Sequence, residues 1–283
     1  MNKLLNENYR GRFAPSPSGP LHAGSLVAAI ASYLAARARG GYWFVRMDDI
    51  DSSRTRPGAE QAILAELHRL GLNHDGPVRR QSTRLQRYAE ALSALRAKNA
   101  VFDCACSRKE VGRKPYPGTC RGGLAAGRKS RSVRLRVNDE PLRFTDAARG
   151  LITCDLPTTT GDFIVRRADG VYAYHLVTVI DDSDENVSHV VRGADLLAST
   201  GPQLYLGRTL ALPAAQYCHV PVLCDAHGRK LSKQNHAPAT CNEPAVRLWR
   251  ETLRFLGLEP PAWRPTAGLE AIKRWALERW TVD

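Results

Sequence analysis

The segment that most restricts the fold is Tyr9 to Ala38. Tyr9–Phe13 has the make-up of a short strand, Ala14–Pro20 is a turn containing Pro15, Pro17, Gly19 and Pro20, and from about Gly24 to Ala38 the residues Leu26, Ile30 and Leu34 recur on one helical face. A strand that enters a helix through such a turn gathers backbone amides at the helix N-terminus, a geometry suited to an anion. Tyr42–Arg46 reads as the next strand. Gly58–Leu70 (Ile63, Leu64, Leu67, Leu70) and Arg84–Lys98 (Leu85, Tyr88, Leu92, Leu95) read as amphipathic helices. Strand and helix therefore alternate through the first hundred residues, the pattern of a parallel α/β sheet. At 283 residues the chain is long enough for about two domains of ~150 residues and a sizeable core.

After Val101 the texture changes. Cys104–Gly150 holds 12 Lys and Arg against 4 Asp and Glu, a net +8 out of the whole chain's 41 − 28 = +13. Positive charge concentrated in this way calls for a polyanionic partner. Phe163–Arg167 and Val171–Asp181, joined by Ala168, Asp169 and Gly170, read as a hairpin, and the basic middle region as an insertion that returns to the main domain near Val190. From Pro202 onward the pattern is helical, ending in two short amphipathic helices, Pro244–Leu256 and Leu269–Trp280. There is no internal repeat. With 43% hydrophobic and 24% charged residues the composition is globular and excludes extensive disorder. The longest uncharged stretch, Phe13–Ala36, contains three prolines and His22, a poor membrane span, and the N-terminus lacks a signal-peptide pattern. A cytoplasmic, monomeric protein with no membrane partner is expected. The odd count of seven cysteines fits free or metal-bound thiols in a reducing compartment, not a disulfide framework.

Two short elements carry chemistry. In PSPSGPLHAGSL (Pro15–Leu26), His22 can donate to a phosphate, and Gly24 has no side chain to obstruct a nucleotide lying on the turn. Taken alone, the turn is also what a capped helix start looks like. In RKLSKQ (Arg229–Gln234), Lys230 and Lys233 flank Ser232 in a polar loop, where two ammonium groups can neutralise charge developing on a triphosphate attacked at its α-phosphorus. Taken alone, that string is a solvated basic loop. Together the two are far more specific than either. Cys104 and Cys106 form C-x-C and Cys120 follows fourteen residues later. Three thiolates so spaced can converge on one metal, but a structural site needs four ligands and no fourth cysteine or histidine lies nearby. Cys154, Cys218, Cys224 and Cys241 show no ligand spacing and read as buried apolar residues.

GRFAPSPSGPLHAGS resembles the first signature of class I aminoacyl-tRNA synthetases of the glutamyl type, and KLSKQ resembles their second. VRMDDID (Val45–Asp51), YAYHL (Tyr172–Leu176) and VVRGADL (Val190–Leu196) are similar to the same family's catalytic core, in matching order. The resemblance implies a Rossmann-type core split by a zinc-bearing subdomain: first half 1–100, basic acceptor-type insertion 101–190, second half with KLSKQ 191–241, and a short helical extension 242–283 without an anticodon-binding domain. It implies ATP bound at His22, Gly24, Ser25, Lys230, Ser232 and Lys233, with magnesium accompanying the ATP, and with Lys233, His22 and Gly24 carrying catalysis. A glutamate pocket is implied at Arg12, Phe13, Ala14, Pro15, Ser16, Asp48, Tyr174 and Arg192, with Arg12 poised for the side-chain carboxylate. The alternative for Arg192 is a structural ion pair. Asp48 stands where the family carries a glutamate for the substrate ammonium; one methylene shorter, it needs a backbone shift or a bridging water. Ser25 replaces the second histidine of the signature. The chain ends about fifty residues after KLSKQ, and with KLSKQNHAP and the cysteines this is similar to the family's shortened members. These attach glutamate to queuosine in the anticodon of tRNA(Asp), not to the 3′ end, and their pattern implies Tyr116 as the fourth zinc ligand beside Cys104, Cys106 and Cys120. The competing expectations are a minimal 3′-end glutamyl-tRNA synthetase, a nucleotidyltransferase sharing the His-x-Gly turn, and a tRNA-binding paralogue without chemistry.

Overall fold

The computed structural model describes residues 8–112, 115–224, 239–261 and 268–281. In chain order its elements are β1 (Arg10–Phe13), α1 (Ala23–Ala38), β2 (Tyr42–Met47), α2 (Ala59–Arg69), β3 (Arg79–Arg80), α3 (Leu85–Ala97), β4 (Val101–Cys104) and α4 (Arg108–Val111). There follow β5 (Ser132–Leu135), β6 (Leu142–Asp146), β7 (Gly150–Cys154), α5 (Leu156–Thr159), β8 (Ile164–Arg166), α6 (Tyr174–Asp184), β9 (His189–Gly193), α7 (Leu197–Leu210), β10 (Gln216–Val220), α8 (Ala245–Phe255) and α9 (Leu269–Arg279).

The first half is the parallel sheet expected, in the order β1-β2-β3. A second sheet, β7-β6-β10-β9, has β9, β10 and β6 parallel and β7 antiparallel at its edge. The two meet where β1 runs beside the start of β9, with Arg10 O accepting the Ser188 N–H at 3.0 Å. Helix α1 lies across this seam. It is buried nearly all round because its alanine-rich sequence offers no polar face: Leu26, Ile30 and Leu34 share a core with Trp43, Val191 and Val220, and Trp249 of α8 and Ile272 of α9 belong to the same cluster. The C-terminal helices thus cover the core, and Trp249 Nε1 donates to Leu70 O at 3.0 Å. The passage from α1 to β2 needs glycine: Gly40 has φ +66°, and a Cβ at Gly41 would lie 2.5 Å from Tyr9 O.

Three sequence expectations change. Val171–Asp181 is a hairpin arm only over its first three residues: Tyr172 bridges back to Arg166, Arg167 N–H donates to Val171 O at 2.8 Å and Ala173 N–H to Val165 O at 2.9 Å, whereas Tyr174–Asp184 is helical. Its β-branched residues mimic a strand, but Leu176, Val177 and Ile180 fall on one helical face and join the core of α3 and α7. Residues 142–154 do not stand apart in the 101–190 insertion, because β6 pairs with β10 in the second sheet; the antiparallel sheet β4-β5-β8 is what projects as a separate layer. Cys218 is buried as expected, whereas Cys224 and Cys241, in loops outside the helices and strands, are exposed.

Candidate active site

The turn after β1 and the start of α1 wall a cavity of about 600 Å³. Arg12, Phe13, Ala14, Pro15 and Ser16 line it from β1 and the turn, His22, Gly24 and Ser25 from the start of α1, Asp48 from the end of β2, Tyr174 from α6 and Arg192 from β9. Every described residue that sequence assigned to nucleotide or glutamate therefore borders one space. Lys230, Ser232 and Lys233 lie outside the described residues.

At the helix start, His22 Nδ1 accepts the Ser25 N–H at 3.3 Å. A neutral imidazole so engaged carries its proton on Nε2, the form that can donate to a phosphate. The first turn of α1 contains no acidic residue to offset the positive helix end.

Arg12 and Arg192, two of the three arginines in the wall, differ sharply. Arg12 donates from Nε and Nη2 to the two oxygens of Asp182 at 3.1 and 3.3 Å, and Arg46 Nη1 reaches the same carboxylate at 2.6 Å. Arg46, wholly buried, also contacts Asp48 at 2.8 Å, Glu185 at 3.4 Å and Asp181 at 3.7 Å. Asp182 is held below the usual carboxylate range: burial would raise it, but Arg12 and Arg46 win. Asp48 and Glu185 are pushed up, because burial outweighs Arg46 and Arg12 at Asp48, and Arg46 and Arg79 at Glu185. Arg192 instead makes four hydrogen bonds to neutral acceptors: His219 Nε2 at 3.1 Å, Gln203 Oε1 and Thr200 Oγ1 at 2.8 Å, and Leu196 O at 3.3 Å. It is 4% exposed, and among the described residues no carboxylate forms an ion pair with it. The structural ion pair weighed for Arg192 is thus found at Arg12, whereas the Arg192 guanidinium has only neutral partners among the described residues. Asp182, Arg46 and His219 were not singled out in the sequence. The only trace there is the acid run DDSDE closing an apolar stretch, which also fits a solvated helix end.

A second cluster lies in the projecting layer. The sulfurs of Cys104, Cys106 and Cys120 lie within 4.8 Å of one another, Cys106 and Cys120 being 3.7 Å apart. Tyr116 Oη is 3.4 Å from Cys104 Sγ and 3.6 Å from Cys106 Sγ, and it accepts the Cys120 N–H at 2.9 Å. A tetrahedral metal with sulfur arms of ~2.3 Å spaces its sulfurs by about 3.8 Å, so these donors fit one ion. Arg134 backs them, its guanidinium 3.9 Å from the Tyr116 ring centre and its Nε donating to Cys104 Sγ at 3.3 Å. Burial would raise the Cys104 thiol, yet the Tyr116 and Arg134 hydrogen bonds bring it down to about 7. Close backbone approach holds Tyr116 in place: Gly161, at φ +64°, bridges to it, and a Cβ there would lie 2.6 Å from Tyr116 N.

A split parallel core with a helix-start cavity, an arginine-lined pocket and an inserted layer between its halves defines a class I synthetase catalytic domain. The family model for "tRNA synthetases class I (E and Q), catalytic domain" matches residues 8–115 and 119–256. The chain is 47% identical over 289 residues to the glutamyl-Q tRNA(Asp) synthetase of Dechloromonas aromatica, covering 99% of this chain and 96% of that protein. It is 49% identical over 271 residues to that of Verminephrobacter eiseniae, covering 90% and 92%. Among solved structures it is similar to a glutamate tRNA ligase from Elizabethkingia meningosepticum in complex with its amino acid (TM-score 0.71, 27% identity, 81% of this chain), of which it spans 52%. A glutamate-tRNA synthetase from Elizabethkingia anophelis shares the fold (TM-score 0.79, 23% identity, 95% of this chain and 65% of that one). The chain belongs to the class I tRNA synthetases of the E and Q type, in the branch of the glutamyl-Q tRNA(Asp) synthetases.

Proposed function

We propose that the protein activates glutamate with ATP as a bound adenylate and transfers the glutamyl group to the queuosine base of tRNA(Asp) in the cytoplasm. The observation that carries this reading is the shared cavity: an uncompensated helix start and His22 for an anionic nucleotide lie beside Arg192, a buried cation without a carboxylate partner among the described residues, for an acidic amino acid. The relatives' names support the choice of tRNA and base.

A glutamate carboxylate oxygen attacks the α-phosphorus of ATP and pyrophosphate leaves; a queuosine hydroxyl then attacks the acyl carbon, AMP departs, and the hydroxyl proton is lost. No covalent enzyme intermediate is required, so the side chains act by placement and charge. His22 Nε2–H and the α1 amides take the phosphates, Arg192 and Tyr174 take a glutamate carboxylate, and the charges of Lys230 and Lys233, outside the described residues, would offset that of the leaving pyrophosphate. Magnesium bound with ATP would neutralise phosphate charge. Asp48, tied to Arg46, supplies the negative charge for the substrate ammonium. The test is glutamylation of tRNA(Asp) from cells able or unable to make queuosine, each with and without its 3′-terminal adenosine. Labelling is expected only with queuosine and is insensitive to loss of the adenosine. Equal labelling of both tRNAs, or loss of label with the adenosine, overturns the reading in favour of a 3′-end synthetase.

Zinc is the metal that fits three thiolates and a phenolate, and Cys104, Cys106, Tyr116 and Cys120 would hold it. It would close the cysteine side of this layer, where Phe102, Val111 and Leu124 pack around the ligands, while Val101, Val133, Leu135 and Val165 of the same sheet join the core of α3, α6 and α7. Metal analysis of the purified protein should find one zinc per chain, and Cys120→Ser should lower that content and melt the layer. Zinc content unchanged in Cys120→Ser would reject the ligand set.

A further inference from the structure

β9 and β10 run in parallel register, with Arg192 opposite His219. His219 is fully buried, and its Nδ1 lies 2.6 Å from Asp146 Oδ2, a carboxylate equally buried at the end of β6. Asp146 Oδ1 also accepts the backbone N–H groups of His219 at 3.3 Å and Ala148 at 3.1 Å. With an acceptor at Nδ1, the imidazole keeps its proton there and turns a lone pair outward from Nε2. That lone pair meets Arg192 Nε–H at 3.1 Å, and Thr200 Oγ1 lies at the same distance. Burial holds His219 below its ordinary pKa against the Asp146 hydrogen bond, and the neighbouring Arg192 charge adds to burial, so Nε2 remains an acceptor.

A carboxylate bonded directly to Arg192 would cancel the charge that a substrate needs, and a water would not fix the guanidinium in one orientation. A neutral imidazole does neither. We infer that His219 and Asp146 are positioning residues for Arg192: Asp146 selects the Nδ1–H tautomer, and the Nε2 lone pair aims the guanidinium at the cavity without neutralising it. This rests on the reading of Arg192 as a carboxylate-binding group.

The experiment measures KM for glutamate and kcat in ATP–pyrophosphate exchange, with thermal unfolding as the fold control. Asp146→Asn presents an amide N–H to Nδ1, forces the other tautomer and sets N–H against N–H at Arg192. KM for glutamate should rise about tenfold or more with kcat within about threefold, the pattern of lost ground-state binding. His219→Asn keeps a donor for Asp146 but loses the acceptor and should match Asp146→Asn. His219→Gln can place Oε1 near the Nε2 position and should stay within about threefold of wild type. If the pair only braced the β6–β7 turn, His219→Asn would be the milder change. Nitrogen-15 spectra should show His219 as Nδ1–H in the wild type and Nε2–H in Asp146→Asn; a wild-type Nε2–H form overturns the inference even if a variant fails to fold. An unchanged KM in Asp146→Asn and His219→Asn, with Arg192→Ala strongly impaired, overturns the positioning role alone. An unchanged KM in Arg192→Ala overturns the reading of Arg192 itself.

Discussion

Lys233→Ala should cut the rate of ATP–pyrophosphate exchange by roughly 10²–10³-fold, about 3 to 4 kcal/mol of transition-state stabilisation, the range seen when a donor aimed at developing charge is removed. In-line attack on the α-phosphorus moves charge toward the leaving pyrophosphate, and a lysine from RKLSKQ supplies a cation that becomes more valuable as that charge grows. The loss should therefore fall on kcat, with KM for glutamate nearly unchanged, because in this reading glutamate is held by Arg192 and Tyr174. Thermal unfolding should match wild type. Wild-type exchange rates in Lys233→Ala would remove the loop from the mechanism and leave a tRNA-binding paralogue.

Arg46→Leu should cost about 3 to 5 kcal/mol of stability, the usual consequence of removing one partner from a buried ionic cluster. For a domain whose whole margin is ~5–15 kcal/mol, much of the protein would be unfolded at growth temperature. Arg46 touches Asp48, Asp181, Asp182 and Glu185, and Arg12, Arg79 and Arg84 reach some of the same carboxylates from the rim. Leucine fills the volume but leaves those acids short of one charge. Asp48 and Glu185, already raised in the wild type, would rise further. A carboxyl whose folded pKa exceeds its unfolded value stabilises the fold below the unfolded pKa, and that contribution is lost as pH rises through the folded one. The deficit of Arg46→Leu should therefore narrow as pH falls from neutrality toward the ordinary carboxylate range. Denaturant melts at several pH values measure it, and a pH-independent deficit would show that packing, not charge, dominates.

The parts legible in the sequence are those whose determinants lie close together along the chain. The strand–turn–helix of residues 9–38 is specified by local periodicity and by prolines and a glycine, and its helix is found within a residue of the expected start. The strings that resemble the family's signatures are visible because their residues are contiguous. The Arg12–Asp182 pair spans 170 positions and the Arg192–His219 contact depends on strand register, so neither leaves a local mark. The same blindness explains α6. Without knowledge that Asp181 and Asp182 face buried arginines, VYAYHLVTVIDDSD looks like a β-branched strand running into a solvated acid cluster. His219, alone in the apolar strand QYCHV, looks like core filler until the end of β6 places Asp146 behind it.

The Arg46 cluster also sets a timetable for the chain as it leaves the ribosome. The carboxylates of Asp182 and Glu185 that neutralise Arg46 are made 136 and 139 residues after it. At synthesis rates of ~5–20 residues per second, roughly seven to thirty seconds separate Arg46 from the carboxylates of α6. Until then the nascent β1–α1–β2 unit cannot bury Arg46 at its final place, and its apolar face stays open to chaperones. Folding of the N-terminal half is therefore gated by translation through the middle of the message, and slow codons between residues 46 and 185 would lengthen the exposed interval while those before residue 46 would not.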